Sequence, residues 1–115
     1  MKPEIKKIGY EGKDFVSLDV VVNLHMGICM DPSSRIMREC RKYEGKVYMI
    51  RDDDEHNYTA DCKRMTDIMS LGAITGTDLQ ILVEGIGEEA EKLALRLYSG
   101  ITCGDSYEMN FERWE

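Results

Sequence analysis

The stretch Phe15-Val16-Ser17-Leu18-Asp19-Val20-Val21-Val22 decides the fold of this 115-residue chain. Its apolar residues recur at every second position, which is the spacing of a β-strand with one buried face. The buried set is Val16, Leu18, Val20 and Val22, and the opposite set is Ser17, Asp19 and Val21. We therefore predict that this stretch forms the first core strand of a sheet.

A helix is predicted downstream of this strand. Pro32 suits a first helical turn, where a missing N–H leaves no helical hydrogen bond unmade. Apolar residues then recur at steps of one, four and seven residues, at Ile36, Met37, Cys40 and Tyr43. The pattern predicts an amphipathic helix with Cys40 on its buried side.

The rest of the chain divides into five more elements. Strands are predicted at 46–51, 58–62 and 79–84, and the first two are joined by a polar, acidic hairpin loop. Met65, Ile68 and Met69 predict a short helix that ends at Leu71-Gly72, and a final helix follows Glu88. The strongest core residues are predicted to be Val20, Ile36, Cys40, Ile81, Leu93 and Leu97.

The order strand, helix, strand, strand, helix, strand, helix is typical of the α+β class, with helices on one face of an antiparallel sheet. The length suits one domain, with a core from 16 to 101. The terminal extensions 1–14 and 102–115 are expected to cover the other sheet face. We expect the aromatic tail residues to pack there, with binding of a partner as the alternative; they are Tyr107, Phe111 and Trp114.

Composition limits the classes of function. A net charge of −7 argues against general binding to nucleic acid or anionic lipid and favours protein partners. No apolar run suits a membrane span or a secretion signal, so a cytoplasmic protein is expected. The four cysteines lack the close pairs of a zinc site and the density of a disulfide scaffold. Free thiols, no metal site and no cofactor are therefore expected.

Two segments resemble the HPr phosphocarrier family over about three quarters of the chain. Gly27-Ile28-Cys29-Met30-Asp31-Pro32-Ser33-Ser34 is similar to the family's active-site segment Gly-Leu/Ile-His-Ala-Arg-Pro-Ala. Lys63-Arg64-Met65-Thr66-Asp67-Ile68-Met69-Ser70-Leu71-Gly72 resembles the family stretch Lys-Ser-Ile-Met-Gly-Val-Met-Ser-Leu-Gly, and Gly85 is also in place. The resemblance implies an open-faced sandwich, a four-stranded antiparallel sheet under three helices.

The resemblance also implies a site at the start of the first helix. In the family a histidine there receives a phosphoryl group from Enzyme I and passes it to sugar-specific proteins of the bacterial phosphotransferase system. Carried over position by position, the acceptor is Cys29, the phosphate-binding arginine is Asp31, and the proline is retained as Pro32. An anion at Asp31 opposes a bound phosphate, which argues against ordinary phosphotransfer.

The second segment departs from the family as well. Arg64 occupies the position of the serine that a kinase phosphorylates in many members, whereas Ser70 matches a serine at the helix end and docking surface. Met30 and Leu71 lie outside the apolar stripes and are predicted to belong to a docking patch, and Met65 and Met69 are predicted to be core residues.

The sequence therefore favours a non-enzymatic, HPr-like module that binds proteins, with Enzyme I or sugar-specific components as possible partners. Two alternatives stay open. Cys29 can act as a phosphoryl acceptor, or it can serve as a redox-sensitive switch on the same surface. His25 is interpreted as a loop residue rather than as a displaced acceptor or a metal ligand.

Overall fold

The computed structural model describes residues 3–102, which form five strands and three helices. In chain order these are β1 (Lys6–Tyr10), β2 (Lys13–Val21), α1 (Met30–Arg41), β3 (Val47–Asp52), β4 (Asn57–Asp61), α2 (Met65–Ser70), β5 (Asp78–Glu84) and α3 (Glu88–Thr102). From β2 onward the order is the predicted one, and the α+β class is confirmed.

The strands form one antiparallel sheet with the order β1-β2-β5-β3-β4. Its register aligns apolar side chains across three strands on the face that carries the helices. Leu18 of β2 pairs with Ile81 of β5, which pairs in turn with Met49 of β3, and all three are fully buried. The predicted alternation of β2 therefore sets the core layer of the sheet.

The predicted core residues all lie inside the molecule, each with no more than 3% of its surface exposed: Val20, Ile36, Cys40, Ile81, Leu93 and Leu97. They belong to one apolar cluster between the sheet and the helices. The apolar stripes of α1 and α3 thus face the sheet as the helical spacing predicts.

A fifth strand, β1, corrects the prediction of four strands. Tyr10 pairs with Lys13 across a two-residue loop, Glu11-Gly12, in which both residues have positive φ (51° and 79°). This is the conformation of the tight hairpin turns whose twist matches that of paired strands, and glycine adopts it readily. The N-terminal extension therefore adds a strand to the edge of the sheet instead of lying across its open face.

The open face has a small apolar cluster of its own. The ring of Phe15 lies 5.6 Å from that of Tyr10 and 5.9 Å from that of Tyr48, measured between centroids. Leu82, which pairs with Tyr48 and Ser17, is fully buried on this face. The sheet residues themselves cover part of the face that the termini were expected to cover. Cys103 and the tail aromatics Tyr107, Phe111 and Trp114 lie outside the described residues.

Arg51 of β3 fastens the end of α2 to the hairpin between β3 and β4. Its Nη1 donates to the carbonyl oxygens of Leu71 and Gly72, each at 2.9 Å, and its Nε lies 2.7 Å from Oδ2 of Asp53. These bonds occupy carbonyls that a helix end otherwise leaves unpaired. The Arg51 hydrogen bond holds the pKa of the Asp53 carboxyl well below its usual range, and backbone N–H bonds from Glu55 and His56 add to the effect.

Candidate functional site

Cys29 is the N-cap residue of α1 and its side chain is exposed. Its backbone is extended (φ −90°, ψ −162°), and its carbonyl accepts the first helical bond from the N–H of Ser33 at 2.9 Å. No side chain caps this helix. The thiol therefore lies where unpaired N–H groups and the helix dipole favour an anion.

The loop that carries Cys29 is pinned to the loop that follows α2. The N–H of Ile28 donates to the carbonyl of Ala73 at 2.9 Å, and Oγ1 of Thr75 donates to the carbonyl of Leu24. Gly27 has φ +70°, and a Cβ there would lie 2.5 Å from the carbonyl oxygen of Ala73. Only glycine lets the two loops approach so closely.

Asp31 and Pro32 occupy the first turn of α1. Asp31 is exposed, and its Oδ2 lies 3.4 Å from Nε of Arg35, one turn further along the helix. Pro32 is buried, which anchors the helix start against the core. The exposed carboxylate nearest to Cys29 in the first turn is therefore paired with a cation of its own helix.

An exposed apolar patch is carried by the two pinned loops and the helix ends beside them. Its members, with their exposed fractions, are Met26 (67%), Met30 (65%), Ile74 (65%) and Met69 (40%). The loop contact at Gly27 brings residues 26–30 next to residues 73–75. Flexible, polarizable methionine side chains suit adaptable contacts with protein surfaces.

The structure exchanges the predicted roles of Leu71 and Met69. Leu71 is 1% exposed and Met69 is 40% exposed, whereas the sequence pattern predicts Leu71 in a docking patch and Met69 in the core. Leu71 has helical φ and ψ (−62°, −24°) and thus continues the winding of α2, so it lies on the face of Ile68, three residues earlier. Met69 is turned about 100° away from Ile68 and points outward.

Arg64 and Ser70 lie at opposite ends of α2, and both are exposed. Arg64 is the N-cap residue, and its Nε lies 4.0 Å from Oδ1 of Asp67. The Ser70 hydroxyl donates to the carbonyl of Thr66 at 2.7 Å, which ties it to its own helix. Met30, Arg64 and Ser70 are thus accessible to a partner, and the Leu71 side chain is not.

The two histidines are both exposed and lie in two different loops. His25 is exposed in the loop before Cys29, and its carbonyl accepts a 3.4 Å bond from Thr75 Oγ1. His56 is exposed in the acidic hairpin, with Nδ1 3.3 Å from Oδ1 of Asp53.

Within residues 3–102, no three His, Cys, Asp or Glu side chains are grouped so that they could hold a metal ion. No helix in that part of the chain is long and apolar enough to cross a membrane.

Comparison with known proteins decides the family. A sequence profile described as "PTS HPr component phosphorylation site" matches residues 16–98. The chain belongs to the HPr family. Members of this family are phosphocarrier proteins rather than enzymes.

Solved HPr structures share the fold. The phosphocarrier protein HPr of Bacillus anthracis is 25% identical, with a TM-score of 0.64 over 74% of this chain and 94% of the other. HPr-C-His of Thermoanaerobacter tengcongensis is 18% identical, with a TM-score of 0.62 over 76% and 92% of the two chains. The histidine-containing phosphocarrier protein of Mycoplasma is 17% identical, with a TM-score of 0.58 over 72% and 86%. No curated protein sequence gives a significant match.

Sequence reasoning misses two members of the apolar patch, Met26 and Ile74. Both lie in loops, so no helical or strand period predicts their exposure. The available signal is the run Gly72-Ala73-Ile74-Thr75-Gly76, in which an apolar residue stands between two glycines that adopt positive φ (59° and 95°). A large apolar residue held in a turn has few ways to reach the core.

Proposed function

We propose that this HPr-family chain is a cytoplasmic protein-binding module that docks its partners on the apolar patch around Cys29. It acts by binding rather than by catalysing a reaction of its own, and it does not carry phosphate on histidine. The observation that carries the proposal is the exposure of four large apolar side chains near an exposed Cys29, on two loops held together by hydrogen bonds and on the helix ends beside them.

The residues at the helix start support the proposed absence of histidine phosphotransfer. In the resemblance drawn from the sequence, Cys29 corresponds to the phosphorylated histidine of the family and Asp31 to its arginine, which supports this part of the proposal. His25 precedes the N-cap by four residues, outside the first helical turn that would stabilise a phosphate. The positions of the two histidines therefore support the proposal that neither carries phosphate.

The charges around the patch indicate the chemistry of the partner. Arg38 is exposed on α1, Arg64 is exposed at the N-cap of α2, and Arg35 is partly exposed beside Asp31. The chain as a whole carries a net charge of −7, which repels an acidic partner at long range. Such a partner therefore has to bind where the arginines lie. A partner with an apolar centre and carboxylates at its rim fits, and the proposed candidates are Enzyme I and sugar-specific phosphotransferase components.

A binding experiment with purified proteins tests the proposal. Enzyme I and the sugar-specific components from the same organism are titrated with the chain by calorimetry. A Met30→Glu variant places a charge in the patch, and Ile86→Glu is the matched control because Ile86 is also exposed (51%) but lies between β5 and α3. We expect Met30→Glu to weaken binding at least tenfold and Ile86→Glu to leave it unchanged. Equal effects of the two variants, or no binding by the parent chain, would overturn the proposal.

A phosphorylation experiment tests the part that concerns histidine. The chain is incubated with Enzyme I and phosphoenolpyruvate, and phosphate is located by mass spectrometry on peptides kept at neutral to alkaline pH. We expect His25 and His56 to remain unmodified. Phosphate on His25 would show that the register of the active-site segment is wrong.

A second function is favoured by the exposed thiol of Cys29 at the start of a twelve-residue helix. In this alternative Cys29 accepts phosphate or reacts as a redox-sensitive thiol, since thiolates at helix N-termini are stabilised. The same phosphorylation experiment separates the two forms, because a thiophosphate on Cys29 supports the phosphoryl acceptor. Sulfenic acid trapped on Cys29 after peroxide treatment supports the switch.

A further inference from the structure

Residues 103–115, here called the tail, form an acidic and aromatic segment beyond the part of the chain that matches the family. The family profile ends at residue 98 and α3 ends at Thr102. Four tail residues are acidic and one is basic, which gives the tail a net charge of −3: Asp105, Glu108, Glu112 and Glu115 against Arg113. Large apolar side chains recur between these charges: Tyr107, Met109, Phe111 and Trp114. Such a segment suits a surface with an apolar centre and a basic rim.

The tail begins beside the loop that leads to Cys29. The N–H of Asn23 donates to the carbonyl of Ile101 at 3.0 Å, and its Nδ2 donates to the carbonyl of Thr102 at 3.4 Å. Met26 follows Asn23 by three residues, so their Cα atoms are at most about 11 Å apart. The tail therefore starts close to the first member of the apolar patch.

The tail is long enough to cross the patch. An extended chain spans roughly 3.3 Å per residue, so Tyr107 can lie about 17 Å from Thr102, and Phe111 about 30 Å. For comparison, the twelve-residue helix α1, which begins at Met30, is about 18 Å long. The apolar side chains of the tail can therefore reach the patch without any change in the described fold.

Charge favours the patch over the open face of the sheet, which is the other surface near Thr102. Met30 begins α1 and Met69 lies in the last turn of α2, and these two helices carry arginines along α1 and at the N-cap of α2: Arg35, Arg38 and Arg64. The groove that Thr102 borders on the open face is lined by three aspartates instead: Asp19, Asp52 and Asp78. Arginines attract an acidic tail and aspartates repel it.

We propose that the tail folds back onto the apolar patch of its own chain and competes with partners for the docking surface. The inference rests on the proposed function, since it takes the patch to be a protein-binding surface. A short tether keeps a segment at an effective concentration in the millimolar range. A tail with an intrinsic dissociation constant of about 0.1 mM would thus be bound about nine-tenths of the time and would weaken partner binding about tenfold.

Trp114 supplies the test, because it is the only tryptophan of the chain and its fluorescence reports on the tail alone. Emission and acrylamide quenching are measured on the full chain under reducing conditions. Three exposed residues are changed one at a time, Met30→Glu in the patch, Val21→Glu on the open face and Ile86→Glu as a distant control, and circular dichroism checks that each variant folds. We expect the parent emission to be blue-shifted relative to the chain in urea and protected from acrylamide. Met30→Glu should shift the emission to the red and remove the protection, and the other two variants should change neither.

Three results would overturn the inference. Parent emission equal to that of the unfolded chain would show that Trp114 is not docked. A red shift with Val21→Glu but not with Met30→Glu would assign the tail to the open face. A blue shift that appears only as the protein concentration rises would assign the tail to the patch of a second copy.

Partner binding gives a second readout of the competition. The double variant Phe111→Ser, Trp114→Ser should bind Enzyme I about tenfold more tightly than the parent in calorimetry, and Asn110→Ala is the matched control within the tail. Equal affinities for the double variant and the parent would contradict the competition. Because the fluorescence measurement needs no partner, a chain that binds no partner but shows the Met30→Glu shift would refute the proposed function and leave the tail on the patch.

Discussion

Replacing Gly27 by alanine tests the contact between the loop that carries Cys29 and the loop after α2. Gly27 has φ +70°, and a Cβ there would lie 2.5 Å from the carbonyl oxygen of Ala73 and 2.8 Å from Cα of Ile74. Both atoms belong to backbone, which cannot move aside as the end of a long side chain can. The two loops must separate before the alanine fits.

The expected loss of stability has two parts. A positive φ costs an L residue roughly 1 to 2 kcal/mol relative to glycine. Separation of the loops also breaks the hydrogen bond from the N–H of Ile28 to the carbonyl of Ala73, worth about 1 kcal/mol. We therefore expect Gly27→Ala to lower the free energy of unfolding by about 2 to 3 kcal/mol.

Gly76→Ala is the matched control. Gly76 lies in the loop that Gly27 contacts and has φ +95°, but a Cβ there would have no atom within 4 Å. It should show the backbone cost alone, about 1 to 2 kcal/mol. Urea unfolding followed by circular dichroism measures both variants under the same conditions.

The comparison between the variants isolates the loop contact. A loss for Gly27→Ala that equals the loss for Gly76→Ala within about 0.5 kcal/mol would show that the loops are not packed as described. Partner binding offers a second readout, because separation of the loops also moves the loop that leads into Met30 away from the loop that carries Ile74. Gly27→Ala should therefore weaken docking, and Gly76→Ala should not.

Three further predictions concern the core, the helix end and the thiol. Leu93→Ala should cost about 2 to 5 kcal/mol in urea unfolding, because the side chain is 1% exposed, and a loss below about 0.5 kcal/mol would show that α3 is turned the wrong way. The pKa of Asp53 is lowered in the folded chain, so its contribution to stability is complete above the ordinary aspartate pKa of about 4 and is lost as the pH falls below it. Stability measured from pH 5 to pH 2 should thus fall less steeply for Asp53→Asn, and an unchanged slope would contradict the pairing with Arg51. Cys29 should be alkylated faster than the two buried cysteines, and Asp31→Arg should increase its rate; equal protection of all three would remove the basis of any Cys29 chemistry.

The helix-facing half of the fold could be predicted because its signals are local and periodic. Val20 and Ile81 follow the strand period, and Ile36, Cys40 and Leu97 follow the helix period; each is buried as its period requires. The start of α1 was also predictable, since Pro32 marks a first helical turn and lies buried within it.

The rest depends on tertiary contacts or on turn chemistry that periodicity does not record. The hairpin that adds β1 rests on Glu11-Gly12, where a glutamate adopts positive φ without the asparagine or aspartate that usually marks such turns. In α2 the helix is too short for a period to be established, so a stripe from Met65 to Met69 and a stripe from Ile68 to Leu71 fit the letters equally well. Packing against the core selects the second.

The N-terminal strand has a consequence for how the molecule behaves in a crowded solution. Without β1, the edge of the sheet would be β2, a nine-residue strand with four consecutive buried residues, Phe15 to Leu18, and a full set of unpaired backbone groups. With β1 in place, the edge strand has only five residues, and Lys6 and Lys7 are exposed on its opposite faces. A second chain that pairs with this edge has to desolvate a lysine, which opposes association. The hairpin thus protects this sheet edge against self-association, and a chain that begins at residue 13 should aggregate at concentrations where the full chain does not.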